Sequence, residues 1–545
     1  MFKASIFVNH LISQRMFSKV NCFAALLALA ALFAGCGEGE KGTLSSSAHK
    51  NTFIFARGSD AQKLDPADVD DGESVNTIAQ VCEGLLRFKP GTVELEPWLA
   101  ESFTSSPDGL THTFKLRPGI KFHDGTPLNA EAAAFSFRRQ LDPEHPAHLP
   151  TASFVYWNFL YNEIQSVEVI DEMTLRFHLN EPNATILYSL AIFPAWLISP
   201  KTPPTDIPYK PVGTGPYQFA EWAVGQAIVL KRNPNYWAYT PQFDRIIFKA
   251  VPENTVRRLE LEAGDIDGID GVQPAEAIAL SKNPDFKLYR GPSMNVGYLA
   301  IQTQNVRWQD PDIRRALAMA IDRKAIVELA LDGAAVPADY PIPPGFLGEP
   351  QDQPPPYQHD PVAAKALLTK FPQLLKTPIV LSTLSDSRPY FPDPQRVASL
   401  IRSDLETIGL TVKIETRDFK SHLQTLRNGD FEIALIGWIG DNGDTDNFLA
   451  TFFHSRAAVP GSATNYSFYK NPEMDHLLDA ARRVSNPTER TKLYNEALKV
   501  WSRDLPMIPL VHAEQMILLR KQVTDFTLSP TGNVFLGPVG WSSSD

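Results

Sequence analysis

The sequence predicts an α/β protein of mixed sheets flanked by helices, divided over two or three domains. Three observations carry that expectation. At 545 residues the chain is longer than one hydrophobic core usually serves. Charged residues make up 21% and hydrophobic ones 43%, the balance of an ordinary soluble globular protein. Over residues 378–448, apolar runs of strand character alternate with runs at helical spacing, which places parallel strands in one sheet with helices across it. The formal net charge of −11, with no basic stripe, speaks against a nucleic-acid partner.

The first 36 residues read as an export signal. Lys3, Arg15 and Lys19 supply positive charge, and residues 23–34 form an apolar core too short to span a bilayer comfortably. Phe33-Ala34-Gly35-Cys36 resembles a lipoprotein processing site, with Cys36 as the lipidated residue and residues 37–50 as a flexible tether. Only Cys82 would then remain; its helical spacing from Ile78, Leu85 and Leu86 makes it a core residue. No later stretch is long and apolar enough to cross a membrane, so membrane contact is expected through the N-terminal lipid only.

Along the rest of the chain, residues 52–57 predict a strand and 74–86 a helix. Thr111 to Arg117 alternate with the period of a strand, and 164–180 form a second strand pair. His123-Asp124-Gly125 is first of all a turn signal, and no nucleophile lies near it in sequence. The glycines of 211–217 are not a phosphate loop, because no Gly-Lys-Ser/Thr follows. Residues 296–301 predict a strand, 311–332 a single helix opened by Pro311, and the Pro-rich stretch 337–360 a long ordered loop. Next come a strand at 379–384, a helix at 395–408 closed by Gly409, a strand at 410–414, a short helix at 419–427 and a buried strand at 431–437. Two further helices are predicted at 472–484 and 488–504.

Residues 435–448, LIGWIGDNGDTDNF, concentrate the polar chemistry. In open α/β sheets ligands sit beyond the carboxyl ends of strands, which is where Asp441 falls after its buried strand. Arg388 follows the strand 379–384 in the same way, so the two should share one rim. A calcium loop is excluded: Asn447 stands at its required glycine and Phe453 at its bidentate glutamate.

The same string resembles the dipeptide-binding proteins of bacterial ABC importers, as do Arg388-Pro389-Tyr390 with Pro392, and residues 99–143 resemble the signature region of the wider oligopeptide-binding family. The likeness covers essentially residues 50–545. It implies a periplasmic-binding-protein-like fold of two hinged lobes and three domains. Domain I would comprise 51–80, 211–290 and 506–545; domain II would be an insert at 81–210; domain III would be 291–505 and hold the ligand clamp. By the resemblance Asp441 takes a peptide ammonium group and Arg388 the peptide carboxylate. Trp438, Gly440 and Asn442 would line the site, and Ser59 and Asp60 would approach the ligand backbone. The implied protein is a lipid-anchored, monomeric receptor on the extracytoplasmic face. It would deliver short peptides, above all dipeptides, to an ABC permease, with no cofactor, no metal and no catalysis. The same fold with another cargo (haem, a nickel chelate, an antimicrobial peptide) is the alternative. A fold-retaining adhesin or chaperone, and a secreted hydrolase, are the remaining ones. The hydrolase is disfavoured because HExxH, GxSxG and any mature cysteine other than Cys82 are missing.

Overall fold

A 14-residue strand, Met507–Arg520, is shared by the protein's main cores in the computed structural model, which describes residues 51–350 and 355–542. At the usual rise per residue it is roughly 45 Å long. Its first half pairs antiparallel with Asn295–Ile301 and its second half with Phe286–Pro292. Met507, Ile508, Leu510 and Val511 are buried in one apolar cluster, Ile517 and Leu519 in a second, and Leu518 in a third. These strands belong to a 12-stranded mixed sheet, so its hydrogen-bonded ladder runs from one core to the next. The export signal, Cys36 and the tether at 37–50 lie outside the described residues. No described helix is long and apolar enough to cross a membrane.

At one end of this sheet, Ile379–Leu384 pairs parallel with both Val412–Arg417 and Ile433–Ile439. The intervening helix Pro394–Thr407 starts where Asp393 accepts a hydrogen bond from the Arg396 amide, and it buries Val397, Ile401 and Leu405. Gly409, at φ +95°, ends the turn after it. The helix Phe419–Asn428 makes the second crossover. Ile433–Ile439 then takes Asn295–Ile301 as its antiparallel partner, which makes the sheet mixed.

At the other end, Thr52–Arg57 lies parallel to Arg245–Ala250 and Gly268–Ile269. A separate antiparallel sheet has the order Ala100–Ser105, Thr111–Leu116, Thr174–Leu179, Ile164–Asp171. His123 bonds through Nε2 to the Gly215 carbonyl, and Asp124 accepts from Ser199, so both hold loops together. A Cβ at Gly213 would stand 2.0 Å from the Val81 carbonyl oxygen, so this glycine allows two backbones to cross.

Two expectations are corrected. The helix expected at 74–86 ends at Ile78. The chain leaves it to bury Glu83, whose carboxylate accepts from Trp98, Thr214, Tyr236 and Trp237. That set of partners comes from distant segments and outweighs local helical spacing. Cys82 is buried, as its spacing suggested. The helix expected over 311–332 is two, Pro311–Ala320 and Arg323–Ala330. Asp322 breaks it by accepting from the Lys324 and Ala325 amides as the cap of the second.

Asp65 and Arg139 form a paired-donor ion pair with both side chains 1% exposed. Removing one partner leaves a buried charge uncompensated. Arg139→Ala is expected to cost about 3–5 kcal/mol, read as a lowered urea midpoint; an unchanged midpoint would show the pair to be solvated.

Candidate functional site

The strand Ile433–Ile439 delivers its acidic loop through a position that admits only glycine. A Cβ at Gly440 would stand 2.7 Å from the Phe448 ring, and the Gly440 amide donates to the Met294 carbonyl at 2.6 Å. Asn447, in the helix Asp446–Phe453, then organises the start of the loop. Its Oδ1 accepts from the Asp441 amide at 3.0 Å and from Trp438 Nε1 at 3.1 Å. Its Nδ2 donates to Asp441 Oδ2 at 3.4 Å, a long bond. The other Asp441 oxygen accepts from the Tyr156 hydroxyl at 2.9 Å. Asp441 is half-buried, and desolvation pushes its carboxyl up to about 6. No ion pair to Asp441 forms among the described residues.

The rest of the loop is spent on itself and on its neighbours. Asp444 is buried against Arg490 at 2.7 and 2.8 Å. Asn442, 2% exposed, accepts from the Asp444 amide and donates to Ser189 Oγ. A Cβ at Gly443 would stand 2.5 Å from Val93. Asp446 Oδ1 is buried without a hydrogen bond, and burial pushes that carboxyl up.

Arg388 stands at the neighbouring strand end. Because Ile379–Leu384 and Ile433–Ile439 are adjacent and parallel, the segments after Leu384 and Ile439 leave the same edge of the sheet. The 385–391 loop folds back where the Arg388 and Phe391 backbones exchange hydrogen bonds of 3.0 and 2.9 Å. Two glycines receive it: a Cβ at Gly437 would stand 2.3 Å from the Tyr390 ring, and one at Gly297 would stand 2.6 Å from Phe391. Above this anchor the Arg388 guanidinium lies over the Phe419 ring, 4.0 Å from its centroid. Its Nε has no hydrogen-bond partner, and no ion pair to Arg388 forms among the described residues.

One rim therefore carries a carboxylate without a cation and a guanidinium without an anion. They do not pair with each other. Desolvated charges in this state are costly, and a ligand positive at one end and negative at the other would compensate both.

The structure brings Asp441, Trp438 and Arg388 to this rim and shows what the other expected residues contact. Gly440 serves close packing. Asn442 has its carboxamide occupied within the protein. Asp60 accepts from Trp222 Nε1, Gly225 N–H and Ala61 N–H, holding the end of the first strand to a hairpin, and Ser59 beside it is exposed. Three residues escaped sequence reasoning: Tyr156, Asn447 and Phe419. Asn447 lies within the acidic string, and its spacing from Asp441 was the available signal. Tyr156 carries none, because its contact spans 285 positions.

A family model described as bacterial extracellular solute-binding proteins, family 5 Middle, matches residues 94–459. The heme-binding protein A of Haemophilus influenzae is 33% identical, the match covering 94% of this chain and 98% of that protein. The dipeptide-binding protein of Escherichia coli is 31% identical, with coverage of 90% and 94%. Among solved structures, the DppA periplasmic binding protein of Helicobacter pylori in complex with the peptide STSA superposes with a TM-score of 0.76 at 31% identity. That match covers 92% of this chain and all of the other.

The Asp441 environment has a consequence for stability. Its carboxyl sits at about 6 in the folded protein and near 4 in an unfolded chain, so the native state binds the proton more tightly. That contribution is full below pH ~4 and is lost as pH rises through about 6. Ligand-free Asp441→Asn should therefore be more stable than the wild type at pH 7, by on the order of 1 kcal/mol, with the gap closing by pH ~4. Urea midpoints at the two pH values test this; a gap independent of pH would contradict it.

Proposed function

Since the chain belongs to family 5 of the bacterial extracellular solute-binding proteins, and dipeptide-binding proteins are among its relatives, we propose that it captures short peptides by their two free ends, above all dipeptides, for an ABC permease. The observation that carries this reading is the pair of unpartnered opposite charges on one rim, Asp441 and Arg388. A peptide ammonium placed between Tyr156 and Asn447 would meet the carboxylate those two side chains orient. A peptide carboxylate would meet the in-plane edge of a guanidinium, whose donor fork fits two oxygens.

Holding both ends also selects length. Each added residue lengthens an extended chain by about 3.3–3.6 Å, so a clamp set for two residues rejects three without reading a side chain. Side chains would then be accommodated through water in a roomier pocket.

The proposal extends to how the ligand is enclosed. Residues 51–80, 211–290 and 506–545 would form one domain, 81–210 its insert and 291–505 the opposing lobe. Contacts between the insert and that lobe include Tyr156 with Asp441, Ser189 with Asn442, and a Glu163–Arg482 ion pair at 2.7 Å. These are contacts that closure would make and opening would break, with bending at the strands that run between cores. Export and lipidation at Cys36 would tether a monomeric receptor outside the cytoplasm beside its permease.

A second reading keeps the fold and replaces the cargo with haem; the 33% identical haem-binding relative favours it. The two separate on one experiment. Protein unfolded and refolded to strip carried-over ligand is titrated calorimetrically with di-, tri- and tetra-alanine, and optically with haem. Tight binding confined to dialanine is expected, and Arg388→Ala should weaken it at least about 30-fold. Equal binding of all three peptides would mean that Arg388 does not cap the site, and a haem spectral shift without peptide heat would favour the second reading.

A further inference from the structure

The Arg388 guanidinium is held by almost nothing except a ring. It makes no ion pair among the described residues, its Nε is unbonded, and the Tyr390 hydroxyl is its polar neighbour. A long, flexible side chain in that condition would ordinarily sample many rotamers. Here it lies 4.0 Å over the Phe419 ring. The ring covers a face of the guanidinium, the Tyr390 hydroxyl and the buried Nε take part of its edge, and the remaining N–H groups are what a carboxylate reads.

Phe419 is itself fixed from the arginine's own loop. Its amide donates to Asp386 Oδ2 at 2.7 Å, and Ser385 Oγ donates to the same oxygen at 3.1 Å. Asp418 caps the helix Phe419–Asn428 by accepting from the Ser421 amide at 3.0 Å, which sets the ring on a rigid first turn. The loop that presents Arg388 thus also holds the platform under it. Asp386, two residues before the arginine, is committed to that task.

We propose that Phe419 is a positioning residue that makes the site selective for a free carboxylate: its ring pre-aims the Arg388 guanidinium, so the ligand does not have to immobilise it. The inference rests on the reading of Arg388 as the carboxylate partner. It adds that this selectivity resides in the ring as well as in the arginine.

The test compares dialanine with dialanine amide, which keeps the ammonium and loses the anion. Affinities of both are measured by calorimetry on refolded wild type, Phe419→Leu and Phe419→Tyr. Wild type should prefer the acid. Phe419→Leu should lower the acid-to-amide affinity ratio about tenfold, through weaker binding of the acid with the amide unchanged, and Phe419→Tyr should restore it. Phe419→Met supplies the same test should the leucine variant fail to fold. If wild type does not distinguish acid from amide, the carboxylate reading of Arg388 fails and takes this inference with it. If wild type distinguishes them and Phe419→Leu keeps the full ratio, or weakens both ligands equally, only the platform role is overturned.

Discussion

A carboxylate withdrawn from water and given no cation is the condition on which this site turns. Asp441 is kept so by two neutral donors, the Tyr156 hydroxyl and Asn447 Nδ2, while Asn447 Oδ1 accepts from the Asp441 backbone amide. Neutral donors orient a carboxylate without neutralising it, so its capacity to bind a cation remains unspent. Asp444, three residues on, shows the alternative: it is satisfied by Arg490 and offers nothing to a ligand. The division of labour within a short acidic string depends on which carboxylates find a guanidinium.

Close packing is what makes the arrangement possible. Glycines at 297, 437 and 440 stand where a Cβ would collide with Phe391, Tyr390 and Phe448. Those aromatic rings bolt the 385–391 and 440–446 segments onto two adjacent strands. Rings seated in glycine notches fix backbones more tightly than surface loops are usually fixed, which suits a site that must hold two charges apart. The same sheet continues through Met507–Arg520 into the other cores, so the rim is built on the element that ties the molecule together.

Much of this was legible in the sequence where local pattern and global fold agree. The strand–helix alternation over 378–448 put Asp441 and Arg388 after the ends of strands in one sheet, and the structure adds that the two strands, Ile379–Leu384 and Ile433–Ile439, are parallel neighbours. Local pattern failed where a distant partner decided the outcome. Glu83 ended a helix early because four donors from other segments converge on it. Asp322 split a continuous apolar stripe by capping rather than by any change of hydrophobicity. Asp60 carried a polar signal at a strand end, yet Trp222 and Gly225, more than 160 positions away, consume it. Tyr156 lay beyond reach for the same reason.

The central claim is that two unpaired poles, not a generic polar pocket, define the ligand. Its most direct test is the affinity of refolded protein for dialanine against N-acetyl-dialanine, which removes the ammonium while keeping the backbone and the carboxylate. The account predicts at least about a 30-fold loss for the acetylated peptide in the wild type and little further loss when Asp441→Asn is tested with it. Equal affinity for the two peptides, or an Asp441→Asn penalty that is the same for both, would contradict it.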